Sequence, residues 1–91
     1  MKFIETSLKG AFIIKPEAYE DRRGVFERIF CEKEFKEINH SKKLVQINCS
    51  LTNRKGSVRG MHYQIPPMAE IKMVKCLRGS VYDVIIDLRR G

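Results

Sequence analysis

The sequence predicts an all-β protein, a sandwich or barrel of short strands carrying one short helix. Three observations point there. Short runs rich in β-branched and aromatic residues recur along the chain, Gly and Pro punctuate them, and only one segment shows a helical period. The 91 residues make one domain at most, spanning 1–91, with a thin core.

Gly10 and Pro16 bracket the first predicted strand, Ala11-Phe12-Ile13-Ile14. Asp21-Arg22-Arg23-Gly24 reads as a turn, because Gly24 can take a positive φ. Val25 to Phe30 reads as a second strand. In Cys31 to Asn39, Cys31, Phe35 and Ile38 fall at i, i+4 and i+7, which predicts a short amphipathic helix. Asn39-His40-Ser41 is expected to break it. Leu44 to Thr52 alternates: Val45, Ile47, Cys49 and Leu51 face one way, Gln46, Asn48 and Ser50 the other. That polar stripe is either the wet face of an antiparallel strand or the lining of a polar cavity. Arg54-Lys55-Gly56 is a turn, and Pro66-Pro67 stops the mixed segment before it. Ile71 to Leu77 and Val81 to Leu88 read as two strands of a hairpin around Gly79. The last is the most apolar run of all and asks for neighbours on both edges. Its closeness to Gly91 predicts a truncated sheet or one completed by a partner.

Lys plus Arg is 18 and Asp plus Glu is 11, a net charge of +7. The surplus predicts attraction to anions, but it is spread along the chain, unlike a nucleic-acid-binding arm. Cys31, Cys49 and Cys76 are odd in number and form no C-x-x-C, so no disulfide framework or zinc site is predicted. Cys49 and Cys76 lie in apolar runs and read as small core residues. No apolar run is long enough to span a membrane, and MKFIETSLKG lacks a secretory h-region. The expected setting is the cytoplasm, without membrane or nucleic-acid partners.

The densest chemical constellation is Arg59-Gly60-Met61-His62-Tyr63-Gln64. An imidazole that is neutral or charged near pH 7 is a natural general base. A packed or surface histidine is the bland alternative. Strict alternation puts Arg59 and His62 on opposite faces, so both reach one site only if Gly60 marks a bend or bulge. Gly56 and His62 satisfy G-x5-H, but Gln64 stands where a second histidine would ligate, and no motif places His40. The expectation is no metal and no organic cofactor. Lys72, with Val74 and Cys76 on its face, either snorkels or has a task. Asp83 either supports Lys72 or makes an ordinary strand ion pair.

Several motifs in order carry a resemblance. They are D-x-R-G-x-F-x-R-x-F-C at Asp21 to Cys31, Q-x-N-x-S at Gln46 to Ser50 and R-G-M-H-Y-Q at Arg59 to Gln64. P-P-x-A-E follows at Pro66 to Glu70, K-x-V-x-C-x-R-G at Lys72 to Gly79, and V-Y-D-V-I-I-D-L-R at Val81 to Arg89. The chain thereby resembles the N-terminal half of the dTDP-4-dehydrorhamnose 3,5-epimerase family, a cupin-type jelly roll. The resemblance implies a metal-independent isomerase of deoxysugar biosynthesis that epimerises C3 and C5 of a dTDP-4-keto-6-deoxy sugar. It implies His62 as the base and Lys72 as the cation at the enolate. It implies Phe26, Gln46, Asn48 and Arg59 as substrate contacts, and Asp83 as a supporting carboxylate behind them. It implies Arg23 as a diphosphate contact, given to a neighbouring subunit of a homodimer through an exchanged N-terminal segment. The sequence departs from the family at Arg28, where many members carry a Glu, and at Met68, where a His is common. The resemblance places the family's tyrosine acid and histidine-orienting aspartate beyond Gly91, so an incomplete domain is expected. A non-catalytic fragment that binds nucleotide-sugar or a partner subunit through an open sheet is the alternative reading.

Overall fold

The computed structural model describes residues 1–38 and 43–91. The expected helix break at Asn39-His40-Ser41 lies outside the described residues. The chain divides into two compact units, Met1–Lys43 with Ile85–Gly91, and Leu44–Val84.

The first unit holds all the regular structure of the described residues. Strands β1 (Lys2–Glu5) and β2 (Phe12–Lys15) pair antiparallel, with Phe3 opposite Ile14 and Ile4 opposite Ile13. Their loop is held by Thr6. Its backbone N–H donates to the Ala11 carbonyl, and its hydroxyl lies 2.8 Å from that oxygen and 3.0 Å from the Leu8 carbonyl. The period of two puts Phe3, Phe12 and Ile14 on one half-buried face. Strands β3 (Ala18–Asp21) and β4 (Gly24–Glu27) form a second antiparallel pair, with Tyr19 opposite Phe26. Only Arg22 and Arg23 connect them, and Gly24 at φ +138° closes the turn where an L side chain would be strained.

Helix α1 (Glu32–Phe35) runs on into a 3-10 turn, Lys36–Ile38. It begins with the Phe35 N–H donating to the Cys31 carbonyl at 2.9 Å, and acidic Glu32 and Glu34 occupy its first turn, where the exposed N–H groups favour negative charge. It delivers Phe35 to the centre of the unit. Phe35 is 5% exposed, the one buried hydrophobic residue among those described. Phe30 meets it edge-on at 4.6 Å between centroids, and Phe3 at 5.3 Å with rings perpendicular. From the Ile85–Gly91 segment, Arg89 donates to the Lys9 carbonyl in the β1–β2 loop.

In the second unit the described backbone forms turns and bends, without strands or helices. Gly56 at φ +81° takes the turn expected at Arg54-Lys55-Gly56, where the Ser57 hydroxyl donates to the Arg54 carbonyl at 2.9 Å. A second turn at Pro66-Pro67 is closed by the Met68 N–H on the Ile65 carbonyl at 2.9 Å.

The structure corrects several expectations. Among the described residues no barrel forms; their regular structure is two small antiparallel sheets, one short helix and its 3-10 turn. Leu44–Thr52, Ile71–Leu77 and Val81–Leu88 are not strands, because alternation assigns faces but supplies no hydrogen-bonding neighbour. Their side chains stay in water, with Val45 82% exposed and Tyr82 95%. Cys49 and Cys76 are exposed for the same reason, and are not core residues. The strand expected over Val25 to Phe30 ends at Glu27. Strands β1 and β3 were not expected from pattern; each forms because its hairpin partner lies a short loop away.

Phe35→Ala is expected to cost the first unit about 3 kcal/mol, a loss of one buried aromatic side chain, read as a lower denaturation midpoint by near-UV circular dichroism. Gly24→Ala, with nothing within 4 Å of the added methyl, is expected to cost about 1 kcal/mol through backbone strain alone, visible as loss of β3–β4 amide protection in hydrogen exchange.

Candidate functional site

The candidate residues fall in both units. Arg23 and Phe26 belong to the first, and Gln46, Asn48, Arg59, His62, Lys72 and Asp83 to the second.

In the first unit, the two-residue turn lifts Arg23 to the tip of the β3–β4 hairpin, where its side chain is 85% exposed. Asp21 at the end of β3 receives it. The Arg23 backbone N–H donates to Asp21 Oδ1 at 2.8 Å, and Nε and Nη2 donate to Oδ2 at 3.1 and 2.7 Å. These bonds hold the Asp21 carboxyl below its ordinary range, the guanidinium contributing most.

Phe26 lies two residues along β4, opposite Tyr19. With Met1, Glu17, Tyr19, Arg28 and Glu34 it lines a cavity of about 120 Å³. Charge crowds one side of it. Arg28 Nη1 donates to Glu34 Oε2 at 3.1 Å, and the Met1 ammonium lies 3.3 Å from Glu34 Oε1 and 3.6 Å from Glu17. The Arg28 hydrogen bond is the main cause that lowers the Glu34 carboxyl, and the same bond raises Arg28. Arg28, noted above as a departure, is thus engaged by Glu34. No chemical motif of the sequence includes Tyr19 or Glu34. The register forced by a two-residue D-R-R-G turn is the signal that identifies Tyr19, since it sets residue 19 against residue 26.

In the second unit, Gln46 and Asn48 are brought together. Asn48 Nδ2 donates to Gln46 Oε1 at 3.0 Å, on an exposed stretch outside regular structure. Their amides together present both a donor and an acceptor to anything that lies along the stripe. Between Arg59 and His62, Gly60 has φ +94°. The backbone therefore leaves strict alternation there. The His62 ring lies over Gly60, so that a Cβ on residue 60 would stand 3.2 Å from His62 Nδ1. Glycine is what lets the imidazole sit there, on two counts: left-handed φ and close approach. Lys72 and Asp83 are exposed, and no hydrogen bond or ion pair joins them to each other or to His62 among the described residues. Cys76 instead has its sulfur 3.4 Å from the Arg78 carbonyl at the Gly79 bend. No cluster of three or more His, Cys, Asp or Glu side chains suited to a metal ion occurs among the described residues, and His40 lies outside them. No helix there is long and apolar enough to cross a membrane.

Chemically, the second unit offers an imidazole, two cations and an amide pair on open backbone. The first offers an arginine fork at a hairpin tip and an aromatic pair beside a small charged cavity. Taken separately, an arginine fork suits an anion and an aromatic side chain suits a ring, while an imidazole is a group able to move a proton.

A family model described as dTDP-4-dehydrorhamnose 3,5-epimerase matches residues 5–91. A dTDP-4-dehydrorhamnose 3,5-epimerase of Sinorhizobium fredii is 41% identical over 91 residues, covering 100% of this chain and 47% of that protein. One from Methanothermobacter thermautotrophicus is 44% identical over 90 residues, covering 99% of this chain and 48% of its own. A dTDP-4-dehydrorhamnose 3-epimerase of Streptomyces niveus is 39% identical over 100% of this chain and 44% of its own. The chain spans about half the length of the curated relatives it matches. No solved structure matches it.

Gly60→Ala is expected to push the His62 ring from its place, seen as shifted imidazole carbon-bound proton resonances with the β3–β4 amides unchanged. A second ion pair uses the same donors at the same spacing: Asp87 Oδ1 takes the Arg89 backbone N–H and Nε, both at 2.9 Å, and Oδ2 takes Nη2 at 2.8 Å. These hydrogen bonds lower Asp87 from 3.8 to about 2. A carboxyl lowered on folding favours the folded state above its unfolded value. That contribution fades as pH falls from about 3.8 through about 2. Carbon-13 titration of the Asp87 carboxyl is expected to give a midpoint near 2, moving up toward the ordinary carboxylate range in Arg89→Ala.

Proposed function

The chain belongs to the dTDP-4-dehydrorhamnose 3,5-epimerase family, and on that premise we propose that its residues serve the epimerisation of C3 and C5 of a dTDP-4-keto-6-deoxyhexose. The family match over residues 5–91 carries this reading. It is supported by what the residues can do. A carbon next to a ketone is acidic only because the electron pair left by the proton spreads onto the ketone oxygen. The reaction therefore needs a base at the carbon and positive charge at the oxygen.

His62 takes the proton from C3, and in a second round from C5, as a neutral imidazole. The C–H electron pair becomes the enolate, and its oxygen is stabilised by the Lys72 ammonium. The proton returns to the opposite face of the carbon from an acid, which the resemblance places after Gly91. One proton leaves and one arrives at each carbon, with no oxidant or reductant, and neither metal nor organic cofactor is needed. Gln46, Asn48 and Arg59 hold the sugar nucleotide. Arg23 binds the diphosphate as a planar fork suited to phosphate oxygens, and Phe26 packs beside the nucleotide. For the whole protein this reading carries a cupin-type jelly roll, in which the alternating runs of the second unit, unpaired in this structure, gain hydrogen-bonding neighbours. It works as a homodimer that exchanges N-terminal segments, within deoxysugar precursor synthesis in the cytoplasm.

The exposure of Val45, Ile47 and Leu51 at 81–82% favours a second reading, in which these residues bind nucleotide-sugar or a partner subunit without catalysis. The two separate in one measurement. The full-length protein, incubated with the keto sugar nucleotide in deuterium oxide, is expected to place deuterium at C3 and C5. His62→Ala is expected to slow that uptake about 10³-fold, the usual worth of a positioned general base. Binding of dTDP without uptake by the full-length protein overturns the epimerase reading and leaves the second. Uptake at C3 alone restricts the chemistry to that carbon.

A further inference from the structure

We propose that Asp21 is a positioning residue that aims the Arg23 guanidinium at a diphosphate; the proposal rests on the reading of Arg23 as the diphosphate contact. An arginine at the tip of a two-residue turn has several rotatable bonds and no packing to hold it, so binding an anion with it ordinarily costs the ordering of a long side chain. Here that ordering is already done. Asp21 grips both ends of residue 23, its backbone N–H through Oδ1 and its Nε and Nη2 through Oδ2. Of the five N–H donors a guanidinium carries, Asp21 uses the inner edge. The two on Nη1 and the outer one on Nη2 are left, and among the described residues no protein oxygen takes them. One from each Nη forms the end-on edge, whose parallel N–H groups match two phosphate oxygens.

The chain itself shows that this arrangement leaves the outer edge able to bind. Asp87-Leu88-Arg89 repeats the spacing and the same three donors, with the backbone N–H and Nε of Arg89 on Asp87 Oδ1 and Nη2 on Oδ2. There Nη2 donates at the same time to a further oxygen, the Lys9 carbonyl. An arginine held by the aspartate two residues before it thus reaches a third acceptor with its outer edge. At Arg23 that acceptor position faces solvent, since the side chain is 85% exposed. Asp21 also places negative charge beside the anion, which opposes binding. The proposal is that orientation outweighs this repulsion, because water screens exposed charges strongly while the geometry is kept.

The test is a double-mutant cycle on the full-length protein with dTDP as the probe, read by titration calorimetry, and with steady-state kinetics on the keto sugar nucleotide. Asp21→Asn keeps an oxygen for the Arg23 backbone N–H but loses the charge-assisted grip on the guanidinium. Arg23→Ala is expected to weaken dTDP binding about tenfold or more, and Asp21→Asn about fivefold, the scale of a lost charge-assisted contact and of a lost preorganisation. In the Arg23→Ala background, Asp21→Asn is expected to change nothing further. KM is expected to rise in Asp21→Asn with kcat kept, which separates positioning from a general fold defect that lowers both. Unchanged or tighter dTDP binding by Asp21→Asn, or an equal loss in both backgrounds, overturns the positioning role while Arg23 stands. Unchanged binding by Arg23→Ala overturns the diphosphate reading of Arg23 and the role of Asp21 with it.

Discussion

A β-strand exists only where another stretch of backbone lies alongside to receive its N–H and C=O groups, and that constraint decides what this chain forms. Two hairpins satisfy it locally. In β3–β4 the partner arrives after Arg22 and Arg23, and in β1–β2 after a loop closed by the Thr6 hydroxyl and backbone. Closing so short a loop costs little chain entropy, and the pairing is repaid at once. The alternating run at Leu44–Thr52 has an equally good strand pattern and no such neighbour, and it stays unpaired and wet.

The aromatic cluster shows the same economy. Phe35 reaches its 5% exposure because Phe30 precedes it by little more than a helical turn and Phe3 comes from the strand that the first hairpin fixes. A helix as short as Glu32–Phe35 is not stable by itself. It is kept by the two edge-on ring contacts and by the Arg28–Glu34 ion pair, which ties β4's exit to the helix. The same ion pair walls one side of the cavity that Phe26 and Tyr19 line. Fold and candidate site share residues here, so a change at Glu34 touches both.

Charge is used locally too. The surplus of 18 − 11 = +7 reads as general attraction to anions. In the structure, particular cations are committed: Arg28 to Glu34, Arg89 to Asp87, Arg23 to Asp21. Only the last stands at a hairpin tip with its outer edge open. A surface ion pair of this kind adds little stability in water, and its use is to fix where a donor points.

The D-R-R-G turn, strand β2 (predicted over Ala11–Ile14 and found over Phe12–Lys15) and the helix around Phe35 were legible in the sequence, because each is set by neighbours within a few residues: a glycine that tolerates φ +138°, an apolar run between Gly10 and Pro16, a period of i, i+4, i+7. The motif order from Asp21 to Arg89 likewise points to the family by itself, since residue types and spacings are properties of the chain. Sequence could not decide that β1 and β3 form, that Cys49 and Cys76 lie in water, or that Gly60 turns the backbone and seats the His62 ring. Nor could it show that Asp21 holds Arg23. Those depend on which groups meet in space, and an alternating pattern states only which side of a strand each residue occupies, never what lies on the other side of the hydrogen bond.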